Sequence, residues 1–260
     1  MIDLKAVSSL LLLLMLQLRP ARAEENRYDV LAKVLNPLLA PFERESRNPN
    51  RSLDAQLSLI AMTDVPPQFI GTKIHLAVQN PDKIYLHGPL LGEQLTICRN
   101  EKEIWVYPRT KAEPLLRQLG GDSPPSKQKF KLGDLELPFS QSELILLPAL
   151  FQVKEYAEEQ FNGVSCRILE VNLLPEIGHS LGVGDWKARL WVGPDFRLGK
   201  LEILKSQGWH LVVGVEKLEF SKALPKSIWQ PSPEEASDVM RLKAYQIKPL
   251  IDAISQSLEK

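Results

Sequence analysis

The feature that most limits the folds open to this chain is a run of short segments with a period of two, joined by turns too short to hold a crossover helix. Ile74, Leu76 and Val78 alternate with Lys73, His75 and Gln79; Asn80-Pro81-Asp82 supplies turn chemistry, and residues 84–87 run back, which predicts a β-hairpin. Strands over 94–99 and 103–107 follow, joined by Asn100-Glu101-Lys102. Asn162-Gly163, the strongest two-residue hairpin signal in the chain, joins strands over 153–161 and 164–172, and further strands are expected at 186–192, 199–204 and 209–220. Connections this short make neighbours antiparallel. The expected fold class is α+β: a large antiparallel sheet that twists and curls, with helices covering a concave apolar face.

Four stretches have helical character. Val30, Leu31, Val34, Leu35, Leu38 and Leu39 recur at helical spacing over 28–42, where Pro37 and Pro41 kink or end the helix. Leu115, Leu116 and Leu119 suggest a short helix before a loop over 120–126, and 142–151 a further apolar piece. After Pro225, Pro231 and Pro233, a C-terminal helix opening at Ser232 or Pro233 would carry Val239, Leu242, Ile247, Leu250 and Ile254. The segment holding Leu53, Leu57, Leu59 and Ile60 is ambiguous, and Pro66-Pro67 closes it.

The N-terminus has the pattern of an export signal: Lys5, an apolar run from Leu10 to Leu18, and Ala21-Arg22-Ala23 as a peptidase site. This predicts a signal peptide over 1–23, cut after Ala23, and one mature domain over 24–260, working in the periplasm or, alternatively, secreted. The apolar run is shorter than the roughly 20 residues of a membrane-spanning helix, and no later stretch approaches that length. Glu24, rather than a cysteine, follows the cut, so no lipid anchor is expected. Loss of Lys5, Arg19, Arg22 and Asp3 leaves 29 basic and 31 acidic residues, a balance that gives no electrostatic reason to bind nucleic acid. Cys98 and Cys166 would meet an oxidising compartment; their spacing leaves open whether they pair.

A search for chemistry along the chain comes back empty. No Gly-x-Ser-x-Gly, His-Glu-x-x-His, Cys-x-x-Cys, P-loop or calcium loop occurs. His75 and His87 lie on neighbouring predicted strands, but two imidazoles without a third ligand make a poor metal site. The glycine-rich stretch 178–185 leads into a strand, not a helix, and reads as a hairpin loop rather than a phosphate cradle. Glu158-Glu159 and Glu234-Glu235 read as solvated surface. Trp105, Tyr107, Trp191, Trp209 and Trp229 read singly as core packing, although together they could line a pocket. No catalytic residue, metal or cofactor is expected, and the protein is expected not to be an enzyme.

Several segments, in order, resemble the LolA-like and LolB-like periplasmic lipoprotein carriers, including outer-membrane lipoprotein-sorting proteins. They are Gly71-Thr72-Lys73-Ile74-His75-Leu76-Ala77-Val78-Gln79-Asn80-Pro81-Asp82-Lys83, the strands over 95–108 that end in Trp105-Val106-Tyr107-Pro108, and the hairpins over 161–171 and 190–202. The resemblance implies an incomplete barrel closed by helices around a cavity for acyl chains, hence a monomeric, non-enzymatic carrier of lipid or lipoprotein that meets a membrane-protein donor or acceptor. The implied lining is Ile74, Leu76, Val78, Asn80 at the rim, Ile84, Leu86, Leu95, Ile97 and Trp105, nine residues, with Leu146, Leu147 and Leu150 as lid contacts. Asn80 stands where the carriers hold an arginine that ties lid to barrel, and an amide lacks that charge and forked geometry. The resemblance also admits a periplasmic sensor or regulatory module of the same fold. A secreted hydrolase is the remaining class.

Overall fold

The computed structural model describes residues 25–42, 51–90, 92–101, 103–118, 146–180, 184–220, 223–242 and 246. The expected signal peptide, the loop over 120–126, residues 142–145, and Ile247, Leu250 and Ile254 of the expected C-terminal helix lie outside them.

The described strands are β1 (Ser52–Met62), β2 (Lys73–Gln79), β3 (Lys83–Leu90), β4 (Glu93–Arg99), β5 (Ile104–Tyr107), β6 (Phe151–Phe161), β7 (Val164–Leu173), β8 (Trp186–Val192), β9 (Leu198–Lys205), β10 (His210–Phe220) and β11 (Met240–Leu242). They form one 11-stranded sheet in the order β11-β5-β4-β3-β2-β1-β10-β9-β8-β7-β6. Every pairing is antiparallel, as the short connections require. The strands β6 and β11 are its edges, so the sheet stays open. The ambiguous segment is β1, and its pairing with β10, from Leu53↔Phe220 to Met62↔Leu211, joins two meanders into one layer. At the β6–β7 turn, Asn162 and Gly163 have φ of 49° and 78°, the left-handed pair that a tight hairpin needs.

The register gives the sheet two faces. On one, call it the helix face, lie Leu53, Ala55 and Leu57 of β1, Ile74, Leu76 and Val78 of β2, Ile84 and Leu86 of β3, Leu95 and Ile97 of β4, and Val106 of β5. Helix α1 (Arg27–Leu39) starts at Asn26, whose side chain accepts from the Tyr28 N–H at 3.2 Å, and places Asp29 in the first turn, where the helix dipole favours it. It passes through Pro37 and gives way to a 3-10 turn, Ala40–Phe42. Its Val30, Leu31 and Val34 pack on Val153, Leu169, Val171, Leu190, Val192 and Leu198, which covers the β6–β9 half of that face. Helix α2 (Arg109–Gln118) lays Ala112 and Leu116 over Val106, Ile97 and Leu242 at the other end.

Two expectations fail here. The first three residues of the glycine-rich stretch expected to be a hairpin loop are not loop: helix α3 (Pro175–Ser180) contains Gly178, where an added Cβ would meet Gly184 Cα at 2.8 Å. The C-terminal helix does not open at Ser232 or Pro233. Ser232 and Glu235 do make the reciprocal bonds of a capping box, Ser232 N to Glu235 Oε2 at 2.8 Å and Glu235 N to Ser232 Oγ at 3.3 Å. Only the 3-10 turn Ala236–Asp238 follows, because Met240 and Leu242 pair with Val106 and Ile104 on the open edge of β5. Among the described residues no helix is long and apolar enough to cross a membrane.

Candidate functional site

Between the two helices the helix face carries an apolar strip that neither covers fully. Val78 and Leu53 are buried beneath the end of α1, and Leu95 and Val106 lie buried at the α2 end. Leu57, Ile74, Leu76, Ile84, Leu86 and Ile97, in register between them, are half-buried. Leu86 and Ile74 belong to neither helix's cluster. Gly88 faces the same way with no side chain of its own, and Ile74 lies over it: an added Cβ would meet Ile74 Cγ1 at 3.1 Å. The register thus brings eight of the nine expected lining residues onto one face and leaves one elsewhere.

The exception is Trp105. It is 1% exposed on the opposite face, opposite Cys98, and donates its indole N–H to the Trp229 carbonyl at 3.3 Å. By the period of two, Ile104 and Val106 share the strip's face, so Trp105 between them cannot. Asn80 does share that face but is no rim residue: it is 3% exposed, and its Nδ2 donates to the Pro41 carbonyl at 3.0 Å, fastening the turn after α1 to β2. Of the three expected lid contacts, Leu147 and Leu150 are half-buried in the 3-10 turn Leu147–Leu150, and Leu146 is 65% exposed.

Among the described residues the expected hollow is not enclosed. Beneath α2, a gap lined by Leu95, Ile97, Val106, Ala112, Leu115 and Leu116 measures about 10 Å³, room for a single water at most. An acyl chain can reach this part of the strip only if α2 moves. It is held by two buried side chains, by the ion pair of Lys111 with Glu93 of β4 at 2.8 Å, and at its start by Asp238, whose carboxylate accepts from Thr110 N at 3.2 Å and Thr110 Oγ1 at 3.1 Å. The ion pairs of Glu113 with Arg109 and Arg117 are internal to the helix and travel with it.

The opposite face is mixed: Ala77, Cys98 and Trp105 pack beneath Trp229, while β1 carries a polar group beside them. Asp54, 7% exposed, accepts from Lys217 Nζ at 3.0 Å and sits 2.7 Å from His75 Nε2. Burial alone would push the Asp54 carboxyl up; the Lys217 and His75 hydrogen bonds outweigh it and hold it below its ordinary value. His75 lies directly opposite His87, yet each has its own partners, and among the described residues no three ligating groups stand together. Cys98 and Cys166 are both free and buried, and burial pushes the Cys98 thiol up to about 12, an inert group. The tryptophans do not converge: Trp105 and Trp229 share one cluster, Trp191 lies in another, and Trp209 pairs with Trp186 at 5.1 Å between ring centroids.

No protein-family model matches the chain and no curated protein matches it. Solved structures do. LppX, a lipoprotein of Mycobacterium tuberculosis, is 13% identical, over 75% of this chain and 96% of its own, with a TM-score of 0.41. LprF of Mycobacterium bovis is 11% identical, over 80% and 96%, with a TM-score of 0.44. A LolA superfamily protein of Nitrosomonas europaea is 12% identical, over 78% and 97%, with a TM-score of 0.29. At these values the likeness says nothing about what the face binds.

Proposed function

We propose that this protein is a non-enzymatic carrier that shields acyl chains of a lipid or lipoprotein on the helix face, outside the cytoplasm. The reading is supported above all by the half-buried strip of Leu57, Ile74, Leu76, Ile84, Leu86 and Ile97, left between two helices on an otherwise covered apolar face. A contiguous apolar surface that a fold does not cover itself is a binding surface or an aggregation hazard. Each methylene moved from water onto it is worth about 0.8 kcal/mol. Where α2 lifts, chain contacts replace those of Ala112 and Leu116, so apolar burial is exchanged rather than lost. That near balance suits a carrier, which has to release what it binds.

The test is binding of cis-parinaric acid, a fluorescent fatty acid, to delipidated protein. The wild type is expected to bind, and Leu86→Asp to weaken binding at least tenfold while retaining the folded circular dichroism spectrum. Absence of binding by the wild type, or equal binding by Leu86→Asp, overturns the reading. Stable capture of a membrane protein's extracytoplasmic segment in place of any amphiphile would favour the regulatory-module alternative.

A further inference from the structure

An unpaired charge interrupts the apolar strip. Across the sheet, Leu53, Val78, Ile84, Arg99, Ile104 and Leu242 form one register row, so Arg99 stands in a line of aliphatic side chains. It is half-buried and has no ion-pair or hydrogen-bond partner among the described residues. Other half-buried arginines are held: Arg167 by Glu155, and Arg189 by Glu170 and Glu202. A guanidinium partly removed from water without a counter-charge costs free energy, and its planar fork suits two oxygens of one anion.

The position gives the strip a polarity. Along β4 the face runs from Leu95 through Ile97 to Arg99, and along β2, in the same direction, from Ile74 through Leu76 and Val78 to Asn80. Glu93, before Leu95 on the same face, is already paired with Lys111 of α2 at 2.8 Å, so the unpaired charge of the strip is the cation at its other end. Four residues of strand separate Leu95 from Arg99, about 13 Å at ~3.3 Å per residue. An amphiphile laid along it would put its chain over Ile97, Leu86 and Ile74 and its head at Arg99.

We infer that Arg99 receives the anionic head of the bound amphiphile, the phosphate or carboxylate of a single-chain lipid, and so sets the ligand class and its orientation. This rests on the acyl-chain reading above. The test displaces cis-parinaric acid with three single-chain competitors of equal length: lysophosphatidic acid, a fatty acid and the neutral monoacylglycerol. In the wild type, at least one anion is expected to compete at roughly tenfold lower concentration than the neutral lipid. Arg99→Leu is expected to abolish that advantage while leaving monoacylglycerol competition unchanged, and Arg99→Lys to retain part of it. Removal of an unpaired half-buried charge should leave the unfolding midpoint unchanged or raise it, which separates the role from a structural one.

Either anion's loss of advantage in Arg99→Leu upholds the assignment, and the one that loses more names the head. An anion preference that survives Arg99→Leu, or no preference in a wild type that binds all three, overturns it and leaves the carrier reading standing. Failure of the wild type to bind any probe is the failure of the carrier reading itself.

Discussion

The helix face follows the same alternating rule over its whole width, yet its two halves end up differently. On β6–β9, Leu169 is 0% exposed and Leu190 and Val192 are buried under Val30, Leu31 and Val34 of α1. On β2–β4, Leu76, Leu86 and Ile97 occupy equivalent inward positions and remain half-buried. The difference is in the cover. Helix α1 has three fully or nearly buried apolar residues aimed at its half, while α2 offers Ala112 and Leu116 to its end of the sheet and nothing to the middle. One half is therefore a core and the other a surface with a core's composition.

The largest effect expected from that contrast is on stability. Leu169→Ala removes a side chain from a closed cluster, leaves a cavity, and should cost about 2–5 kcal/mol. Leu86→Ala loses a side chain already half in water, with no cavity left behind, and should cost about 1 kcal/mol. Denaturant unfolding of the two variants measures the difference directly. Equal losses would mean that the strip is as well packed as the α1 cluster and would break the comparison.

Which half is which was only partly legible in the sequence. Alternation and turn chemistry mark most strands and eight of the nine expected lining positions, because side-chain direction in a strand is local. Cover is not local. The same alternation, Leu169 with Val171 or Leu76 with Val78, precedes a filled or an open interior alike. Register also reaches beyond a hairpin: Trp105 is expected in the lining, while the pairing Cys98↔Trp105 puts it on the far face. The pairing of β1 with β10 joins residues as far apart as Leu53 and Phe220, and no turn signal announces it. Ser232 with Glu235 is a genuine helix-start pattern, yet β5 offered an unpaired edge that Met240–Leu242 fill instead.

The opposite face sharpens the contrast, because the half-covered side of the sheet is stiffened from behind by polar bonds. Asp54 on β1 joins Lys217 on β10 and His75 on β2, bridging the two meanders. Asp54→Asn should cost about 1–3 kcal/mol at neutral pH, since it leaves Lys217 and His75 without their shared anion. The pH dependence has a definite sign. The folded carboxyl lies below its ordinary value, so the stability it contributes is full above about pH 4 and is lost as pH falls through the folded value. Unfolding of the wild type across that acid range should steepen relative to Asp54→Asn; matching acid limbs would show that the bridge is not a charged one.

The smallest expected effect lies at higher pH and on β3 alone, which presents Leu86 to the strip and His87 to the far side. Gln94 Nε2 donates to His87 Nε2 at 3.0 Å, which makes the ring neutral with its proton on Nδ1, directed to Thr96 Oγ1 at 2.8 Å. Burial pushes the His87 pKa below its usual value, because the imidazolium would lose water and place a second donor against the Gln94 amide. A depressed folded pKa means that stability is present above the unfolded value near 6.5 and is lost as pH falls through the folded one. Mild acid should therefore loosen the β3–β4 pairing beneath the strip while leaving the α1 half untouched. Amide exchange measured at pH 7.5 and 5.5, each rate corrected for its intrinsic pH dependence, should show protection falling at Tyr85–Gly88 and Leu95–Ile97 but not at Leu169–Val171. His87→Phe should abolish the difference, and a uniform fall across both halves would show that the sheet responds to acid as one unit.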